Sequence, residues 1–249
     1  SHEARLASLA VDLASTGHQV WQTATTLIEP TDRQVPSRAV INPADSRDRV
    51  GQVVDATVAD VQTALANAVA TGDVWQATPV DERAAVLERA ADLFESQAHT
   101  LIGLIVREAG KTLPNAVGDV REAVDFLRYY AQQARSLHDE TATPLGVVVC
   151  ISPWNFPLAI FTGQVAAALV TGNVVLAKPA EQASLIGCEA VRLLRQAGVL
   201  PGALQCLPGL GETVGQPLVA DPRVDAVMFT GSTDTAHAIS RTISQRLNR

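Results

Sequence analysis

The chain has 249 residues, 47% of them hydrophobic, and a formal net charge of -7 from 19 lysines and arginines against 26 aspartates and glutamates. This is enough apolar material for one large or two modest cores, and the acidic balance argues against nucleic acid as a partner, because basic side chains supply most of the affinity for phosphates. The absence of a long apolar run and of a secretion signal predicts a chain without a membrane segment that stays in the cytoplasm.

The first predicted segment, residues 1–46, is a helix followed by a linker. The apolar residues at helical spacing within residues 1–15 are Leu6, Leu9, Ala10 and Leu13. Prolines, aspartates and arginines are frequent between residues 29 and 46, which predicts an extended linker. A packed region is expected to begin after it.

Residues 47–143 form a predicted helical part. Thr57 and Asp60 have the spacing of a capping box, which predicts a helix from Thr57. A second helix begins next to Pro79, which takes the first helical position, and a third covers about 115–137. All three carry apolar residues at helical spacing, so we expect them to pack and not to carry chemistry.

From Pro144 onward, strands and helices alternate. Residues 145–152, LGVVVCIS, form an almost continuous apolar run, which is typical of a strand buried on both faces of a parallel sheet. Three more strands, each followed by a helix, are predicted at 174–178, 204–208 and 225–230. This pattern predicts an α/β fold, with a Rossmann-type parallel sheet flanked by helices over residues 144–249. Ligands of such sheets bind beyond the carboxyl ends of the strands.

The first of these strand ends carries the sequence SPWNFP at residues 152–157. Pro153 and Pro157 make the loop stiff on either side of Asn155. A fixed carboxamide can donate a hydrogen bond to an oxyanion that develops in a transition state. The alternative is an asparagine that only bonds the backbone of its own loop.

The second strand end carries the sequence KPAE, from Lys178 to Glu181. A lysine donates to hydroxyl groups and a carboxylate accepts from them, so the pair can bind a ribose diol, and the carboxylate would repel a 2′-phosphate. The alternative is an exposed surface ion pair that contributes little.

Glycines follow the third and fourth strands. GLGETVG (209–215) has one residue too many for the dinucleotide fingerprint, but glycines at a helix start let a pyrophosphate approach backbone N–H groups; the alternative is a tight turn with a cap.

In FTGS (229–232), Gly231 permits close approach of the backbone, and Ser232 can cap the next helix and donate to a phosphate. The four segments follow successive parallel strands, which predicts that they converge on one dinucleotide.

In this order and spacing, PWNFP, KPAE, GLGETVG and FTGS resemble the cofactor-binding half of the aldehyde dehydrogenase superfamily. Further stretches resemble the glutamate-semialdehyde dehydrogenase module of the bifunctional proline utilization A enzymes: HEARLASL (2–9), VINPAD (40–45), VREAGKT (106–112) and REAVDFLRYYA (121–131). The resemblance implies that residues 47–249 are an NAD-binding region and that the family's catalytic domain lies outside the chain.

The resemblance also implies an activity, the NAD-dependent oxidation of L-glutamate γ-semialdehyde, from pyrroline-5-carboxylate, to glutamate in proline catabolism. By it, Asn155 stabilises the oxyanion, and Lys178 and Glu181 bind the adenosine ribose. The remaining implied residues are Gly211, Gly215 and Ser232 at the pyrophosphate, Ile151, Ser152, Trp154, Phe229 and Gly231 along the cofactor cleft, and Phe156 and Glu122 on the substrate side. Glu122 would contact the substrate's ammonium group; the alternative is an exposed helix carboxylate.

The family's nucleophilic cysteine and general-base glutamate lie downstream of FTGS, and the sequence stops before either. Cys150 and Cys206 fall in predicted strands and Cys188 on a predicted helix, so none can replace a nucleophile that needs an exposed thiolate. Their number and spacing favour neither a disulfide framework nor a metal site. We therefore expect the chain to be part of a longer polypeptide.

The resemblance further implies a homo-oligomer and an upstream proline dehydrogenase domain, which would bring FAD. Two other functions stay open. The first is an aldehyde dehydrogenase with another substrate, and the second is a non-catalytic module of the same fold that serves assembly.

Overall fold

The computed structural model describes residues 2–16, 19–26, 36–136 and 143–247. The helices are α1 (His2–Thr16), α2 (Val58–Ala77), α3 (Val80–Ser96), α4 (Ala98–Ala109), α5 (Leu113–Ser136), α6 (Ala159–Val170), α7 (Ser184–Gln196), α8 (Gln216–Ala220) and α9 (Thr233–Leu247). The strands are β1 (Trp21–Ala24), β2 (Arg38–Ile41), β3 (Arg49–Val54), β4 (Val147–Ile151), β5 (Val174–Lys178), β6 (Leu204–Cys206) and β7 (Ala226–Phe229). Within these described ranges, none of the helices has both the length and the apolar character needed to span a bilayer.

The larger sheet has four parallel strands in the order β6-β5-β4-β7. β5 is buried along its whole length and β4 is buried up to its last residue, because α2 and α6 both pack against these strands. Because both faces of these strands are buried, their sequences are almost continuously apolar and do not alternate between apolar and polar residues. The predicted α/β fold with a parallel sheet is confirmed, and β5 has the predicted bounds.

A second, smaller sheet joins β1, β3 and β2. β2 pairs antiparallel with β3, and β1 pairs parallel with it. β2 lies in the stretch assigned to a linker and β3 in the stretch assigned to helices, so both predictions are wrong there; residues 29–35 of the linker lie outside the described ranges. β2 buries only Val40, and one buried side chain produces no alternating pattern.

The N-terminal helix is confirmed as α1. Leu9 and Leu13 are half-buried against the core, as predicted. Ala10 is exposed, so its predicted place on the apolar face is wrong. The side chain of Leu6 lies outside the described residues.

The helical part begins with the predicted capping box. The amide of Asp60 donates to Thr57 Oγ1 (3.2 Å), and the amide of Thr57 donates to Asp60 Oδ2 (2.8 Å). α3 begins one residue later than predicted, because Pro79 is its N-cap. α4 was not predicted, since Gln97 alone separates it from α3 and no glycine or proline marks the boundary.

The helical part and the strand-and-helix part share one hydrophobic core. Trp75 of α2 donates its indole N–H to the carbonyl of Leu169 (3.0 Å), and Arg83 of α3 donates through Nε to the carbonyl of Val170 (2.9 Å). Both acceptors lie at the end of α6, where a helix leaves its last carbonyls without partners inside the helix, and the Leu169 carbonyl also accepts from the amide of Gly172 (3.0 Å). The two parts therefore complete each other's hydrogen bonding.

A buried carboxylate makes a second connection between the two parts. Glu108 of α4 accepts hydrogen bonds from the amides of Leu185 (2.7 Å) and Ile186 (2.8 Å) in the first turn of α7. These amides belong to the group that a helix start leaves without internal partners. Burial raises the pKa of Glu108 to about 8, although both amide bonds act in the opposite direction.

Candidate functional site

The loops that follow the four parallel strands meet around one cleft of about 1010 Å3. This is at the upper end of the range of roughly 300–1,000 Å3 that is usual for small-molecule sites. The predicted site residues that line it are Ile151, Ser152, Trp154, Asn155, Phe156, Lys178, Glu181, Gly211, Gly215, Phe229, Gly231 and Ser232. Their convergence at the carboxyl edge of the sheet is confirmed, while the role of each residue stays a prediction.

Asn155 lies in the loop between β4 and α6, with Pro153 and Pro157 on either side. Its main-chain oxygen accepts a hydrogen bond from Lys111 Nζ (2.9 Å). Its carboxamide bonds no other described residue and lines the cleft. The alternative of a carboxamide bound to its own loop is therefore not what the structure contains. A free donor on the cleft wall can meet a negatively charged oxygen.

Lys178 and Glu181 form an ion pair at the end of β5, with 3.2 Å between Nζ and Oε1. Lys178 also donates to the carbonyl of Pro179 (3.1 Å). The pair is not the exposed surface contact considered as the alternative, because the Lys178 side chain is only 5% exposed and Glu181 is 31% exposed. The partly exposed carboxylate can still accept hydrogen bonds from a ligand.

The glycine-rich loop after β6 turns sharply and then becomes helical. Gly209 has φ +147, and a Cβ there would lie 2.6 Å from the Val214 side chain, so the turn requires a glycine. The backbone is helical from Gly211 into α8. Gly215 lies against the stem of Lys178, since a Cβ there would be 3.5 Å from Lys178 Cδ. The third loop therefore covers the lysine of the second.

The FTGS segment after β7 is also held by close contacts. A Cβ on Gly231 would lie 2.6 Å from the Phe229 ring, so only glycine allows the ring this position. Ser232 Oγ accepts from the amide of Thr235 (3.2 Å), which confirms it as the cap of α9. Gln164 of α6 donates to Thr230 Oγ1 (3.1 Å) and so ties this segment to α6.

One predicted site residue, Glu122, does not lie at the cleft, and two residues that lie beside it, Lys111 and Asp119, were not predicted. Glu122 is exposed on α5 and is not part of the cleft lining, which agrees with its reading as an exposed helix carboxylate. Lys111 and Asp119 lie directly behind the Asn155 loop. Lys111 belongs to the VREAGKT stretch, but nothing in the spacing of that stretch relates it to a residue 44 positions away.

Cys150, Cys188 and Cys206 are buried and form no disulfide, and none lines the cleft; the sulfur atoms of Cys188 and Cys206 are 3.2 Å apart, as in a thiol hydrogen bond. Burial raises the pKa of the Cys150 and Cys206 thiols, which opposes formation of a nucleophilic thiolate. Within the described ranges, no cluster of histidine, cysteine, aspartate and glutamate is arranged to bind a metal ion. The cleft thus holds the Asn155 carboxamide and the Lys178–Glu181 pair, with no cysteine among its described lining residues.

Comparison with known proteins gives a consistent result. The chain is 58% identical over 250 residues to the bifunctional protein PutA of Salmonella typhimurium, which covers 100% of this chain and 19% of that protein. It is 42% identical over 207 residues to the 1-pyrroline-5-carboxylate dehydrogenase of Anoxybacillus flavithermus, which covers 78% of this chain and 40% of that enzyme. A crystal structure of 1-pyrroline-5-carboxylate dehydrogenase from Thermus with bound NAD matches with a TM-score of 0.89 at 33% identity, over 97% of this chain and 50% of the other.

The chain thus spans 19% of the length of the bifunctional relative and 40% of the single-activity one. The aldehyde dehydrogenase family matches residues 31–249. This range includes the four-stranded sheet, strands β2 and β3 of the smaller sheet, and every loop that lines the cleft. From the extent of this match, the chain belongs to the aldehyde dehydrogenase family.

Proposed function

We propose that this chain is the NAD-binding part of an enzyme that oxidises L-glutamate γ-semialdehyde, from pyrroline-5-carboxylate, to glutamate in proline catabolism. The observation that carries the proposal is the unbonded carboxamide of Asn155 on the wall of the cleft that also holds the Lys178–Glu181 pair. The substrate is supported by the relatives that are named 1-pyrroline-5-carboxylate dehydrogenase.

The chemistry of the cleft fits NAD. Lys178 and Glu181 offer a donor and an acceptor for the hydroxyls of the adenosine ribose. Gly211, Gly215 and Ser232 would lie along the pyrophosphate, and the rest of the cofactor would contact Ile151, Ser152, Trp154, Phe229 and Gly231. When bound, NAD supplies the acceptor for the hydride that leaves the substrate.

The residues of this chain then orient the substrate and stabilise charge. Attack of a thiolate on the aldehyde carbon converts the carbonyl oxygen into an oxyanion, to which Asn155 Nδ2 donates a hydrogen bond. Phe156 lines the cleft and would bound the aldehyde. The described cysteines are buried, so we assign the thiolate and the base that activates the hydrolytic water to residues outside this sequence. A contact between Glu122 and the substrate would need a site outside this cleft.

The role of Glu181 predicts a change in NAD affinity. Glu181→Gln is expected to weaken NAD binding roughly ten- to a hundred-fold, because a hydrogen bond to a charged group contributes about 1.5–3 kcal/mol. The same change is expected to narrow the preference for NAD over NADP, since the repulsion of a 2′-phosphate is lost. Both affinities are measured by calorimetric titration of the complete protein.

Glu82→Gln is the matched control, because Glu82 is an exposed carboxylate on α3 away from the cleft. It is expected to leave both affinities unchanged. An equal NAD affinity for Glu181→Gln and the native protein would contradict the ribose contact.

The substrate is tested by comparing kcat/KM of the complete protein for glutamate semialdehyde and for a simple aliphatic aldehyde of similar length. We expect at least a 10³-fold preference for the semialdehyde, because a site with buried polar groups strongly rejects a substrate that leaves them unpaired. Equal turnover of both aldehydes would indicate a dehydrogenase with another substrate. NAD binding without turnover of either would indicate a non-catalytic module.

The proposal extends to the organisation of the whole protein. We propose a cytoplasmic homo-oligomer with an upstream proline dehydrogenase domain that binds FAD, in keeping with the bifunctional relative. The three cysteines form no disulfide, which is consistent with a reducing compartment. We also propose that the chain consists of an N-terminal segment, residues 1–46, and an NAD-binding region. This region has a helical part, residues 47–143, and a Rossmann-like part, residues 144–249.

A further inference from the structure

Lys111 lies between α4 and α5 and makes three contacts behind the cleft. Its Nζ donates to the main-chain oxygen of Asn155 (2.9 Å) and to Asp119 Oδ2 (3.2 Å). It also lies 4.3 Å from the centre of the Phe156 ring, which is the geometry of a cation–π contact. The Lys111 side chain is only 12% exposed. One largely covered ammonium group thus contacts both residues that the proposed reaction places beside the aldehyde.

Asp119 of α5 fixes the other end of the same loop. Its carboxylate is fully buried, and while Oδ2 faces Lys111, Oδ1 accepts from the amide of Ala159 (2.8 Å) at the first residue of α6. Burial raises the pKa of Asp119, and the bonds from Ala159 and Lys111 act in the opposite direction. The pair therefore connects α5 to the loop at Asn155 and at the point where the loop enters α6.

We propose that Lys111 and Asp119 are positioning residues that hold the Asn155 carboxamide where it can donate to the oxyanion. The inference rests on the function proposed above. Neither residue lines the cleft, so they act through the backbone of the Asn155 loop and through the Phe156 ring.

Two observations favour positioning over a general contribution to stability. Asn155 has no side-chain hydrogen bond to a described residue, so the placement of its carboxamide depends on the backbone that Lys111 holds. In addition, a buried ion pair is a poor stabiliser, because apolar side chains of similar volume often stabilise a core equally well. The directional hydrogen bonds of the Lys111–Asp119 pair are better suited to fixing the position of the loop than to stabilising the fold.

The test removes the ammonium group from the complete protein. In Lys111→Met, we expect kcat to fall about 10- to 100-fold, because a shift of about 1 Å can cost a hundred-fold in rate. NAD affinity and KM are expected to stay within twofold, which a general loss of structure would not allow. Lys111→Arg keeps a cationic donor and is expected to recover part of the rate.

Two further variants separate positioning from folding. Lys111→Met leaves the Asp119 carboxylate buried and unpaired, so the double variant Lys111→Met/Asp119→Asn is included, in which the amide oxygen can still accept from Ala159. It is expected to lose kcat as well. Arg128→Met is the matched control, because Arg128 is a cation on α5 that, like Lys111, pairs with carboxylates, here the exposed Glu95 and Asp92 away from the cleft. It is expected to keep native kcat.

A second readout does not depend on turnover. Hydrogen exchange at residues 154–159 is expected to speed up at least ten-fold in both variants that lack Lys111 and to stay native in Arg128→Met. Native kcat and native exchange in Lys111→Met and in the double variant would overturn the inference. If the native protein oxidises no aldehyde, the proposed function fails, while the exchange rates still decide whether Lys111 holds the loop.

Discussion

Asn155→Ala is expected to lower kcat of the complete protein by about 10²- to 10³-fold, which is the usual cost of removing one oxyanion donor. The carboxamide donates to and accepts from no other described residue, so its removal breaks no hydrogen bond within the described part of the chain. We therefore expect NAD affinity and the melting temperature to stay near native values. Steady-state kinetics with glutamate semialdehyde, together with NAD titration, measure the two effects separately.

Asn155→Asp sharpens this test, because it keeps the shape of the side chain and removes the N–H donor. A carboxylate also repels an oxyanion, so the loss of kcat is expected to be at least as large as for alanine. Native kcat in either variant would show that another group stabilises the oxyanion and would remove the catalytic role proposed for Asn155.

Glu108→Gln is expected to destabilise the protein more at pH 5 than at pH 8.5. Burial raises the pKa of Glu108 in the folded protein to about 8 from its ordinary value of 4.5, so the folded protein binds this proton more tightly than the unfolded chain does. The resulting stabilisation is fully present below the unfolded pKa and is lost as the pH rises through about 8. Each unit of pKa difference corresponds to about 1.4 kcal/mol, so the difference in cost between the two pH values is on the order of several kcal/mol.

Glutamine also lacks the second oxygen that Glu108 offers to the amides of Leu185 and Ile186. One buried N–H is left unpaired, which adds a cost of about 1–3 kcal/mol at every pH. Urea unfolding at several pH values measures both the pH-dependent cost of losing the carboxyl group and the constant cost of the unpaired N–H. A cost of Glu108→Gln that increases with pH would contradict the raised pKa and would mean that the carboxylate is charged in the folded protein at neutral pH.

Glu95→Gln is the control for this series. A hydrogen bond from Arg128 lowers the pKa of Glu95, so its contribution is present above the unfolded pKa and is lost only as the pH falls through the folded pKa. Between pH 5 and 8.5 its cost is therefore expected to be constant. If the cost of Glu95→Gln in free energy of unfolding changed between pH 5 and 8.5, this would indicate a general change in the unfolded state.

The elements that the sequence predicted are those whose signals are local. β5 is marked by an unbroken apolar run of four residues, 174–177, between Asn173 and Lys178, and the start of α2 is marked by the side chains of Thr57 and Asp60. β2 and α4 lack such signals. β2 exists because it pairs with β3, and α4 follows α3 without a breaking residue, so in both cases the deciding information lies outside the segment.

The same distinction applies to the site. The loops at Asn155, Lys178 and Ser232 were predicted to meet because parallel strands present their carboxyl ends at one edge, and they do meet. The contacts of Lys111 depend on the way α5 packs against α6. Helical periodicity predicts that α5 packs against other elements. It does not predict which polar side chains of α5 contact those elements.

The bonds from Trp75 and Arg83 to the end of α6 also determine how the molecule comes apart. Loss of α2 and α3 would leave the carbonyls of Leu169 and Val170 without these donors and would uncover β5. We therefore expect α2, α3 and the four-stranded sheet to melt together as one cooperative unit. A destabilising substitution in α3, none of whose residues lines the cleft, would therefore lower the fraction of molecules that contain a folded cleft.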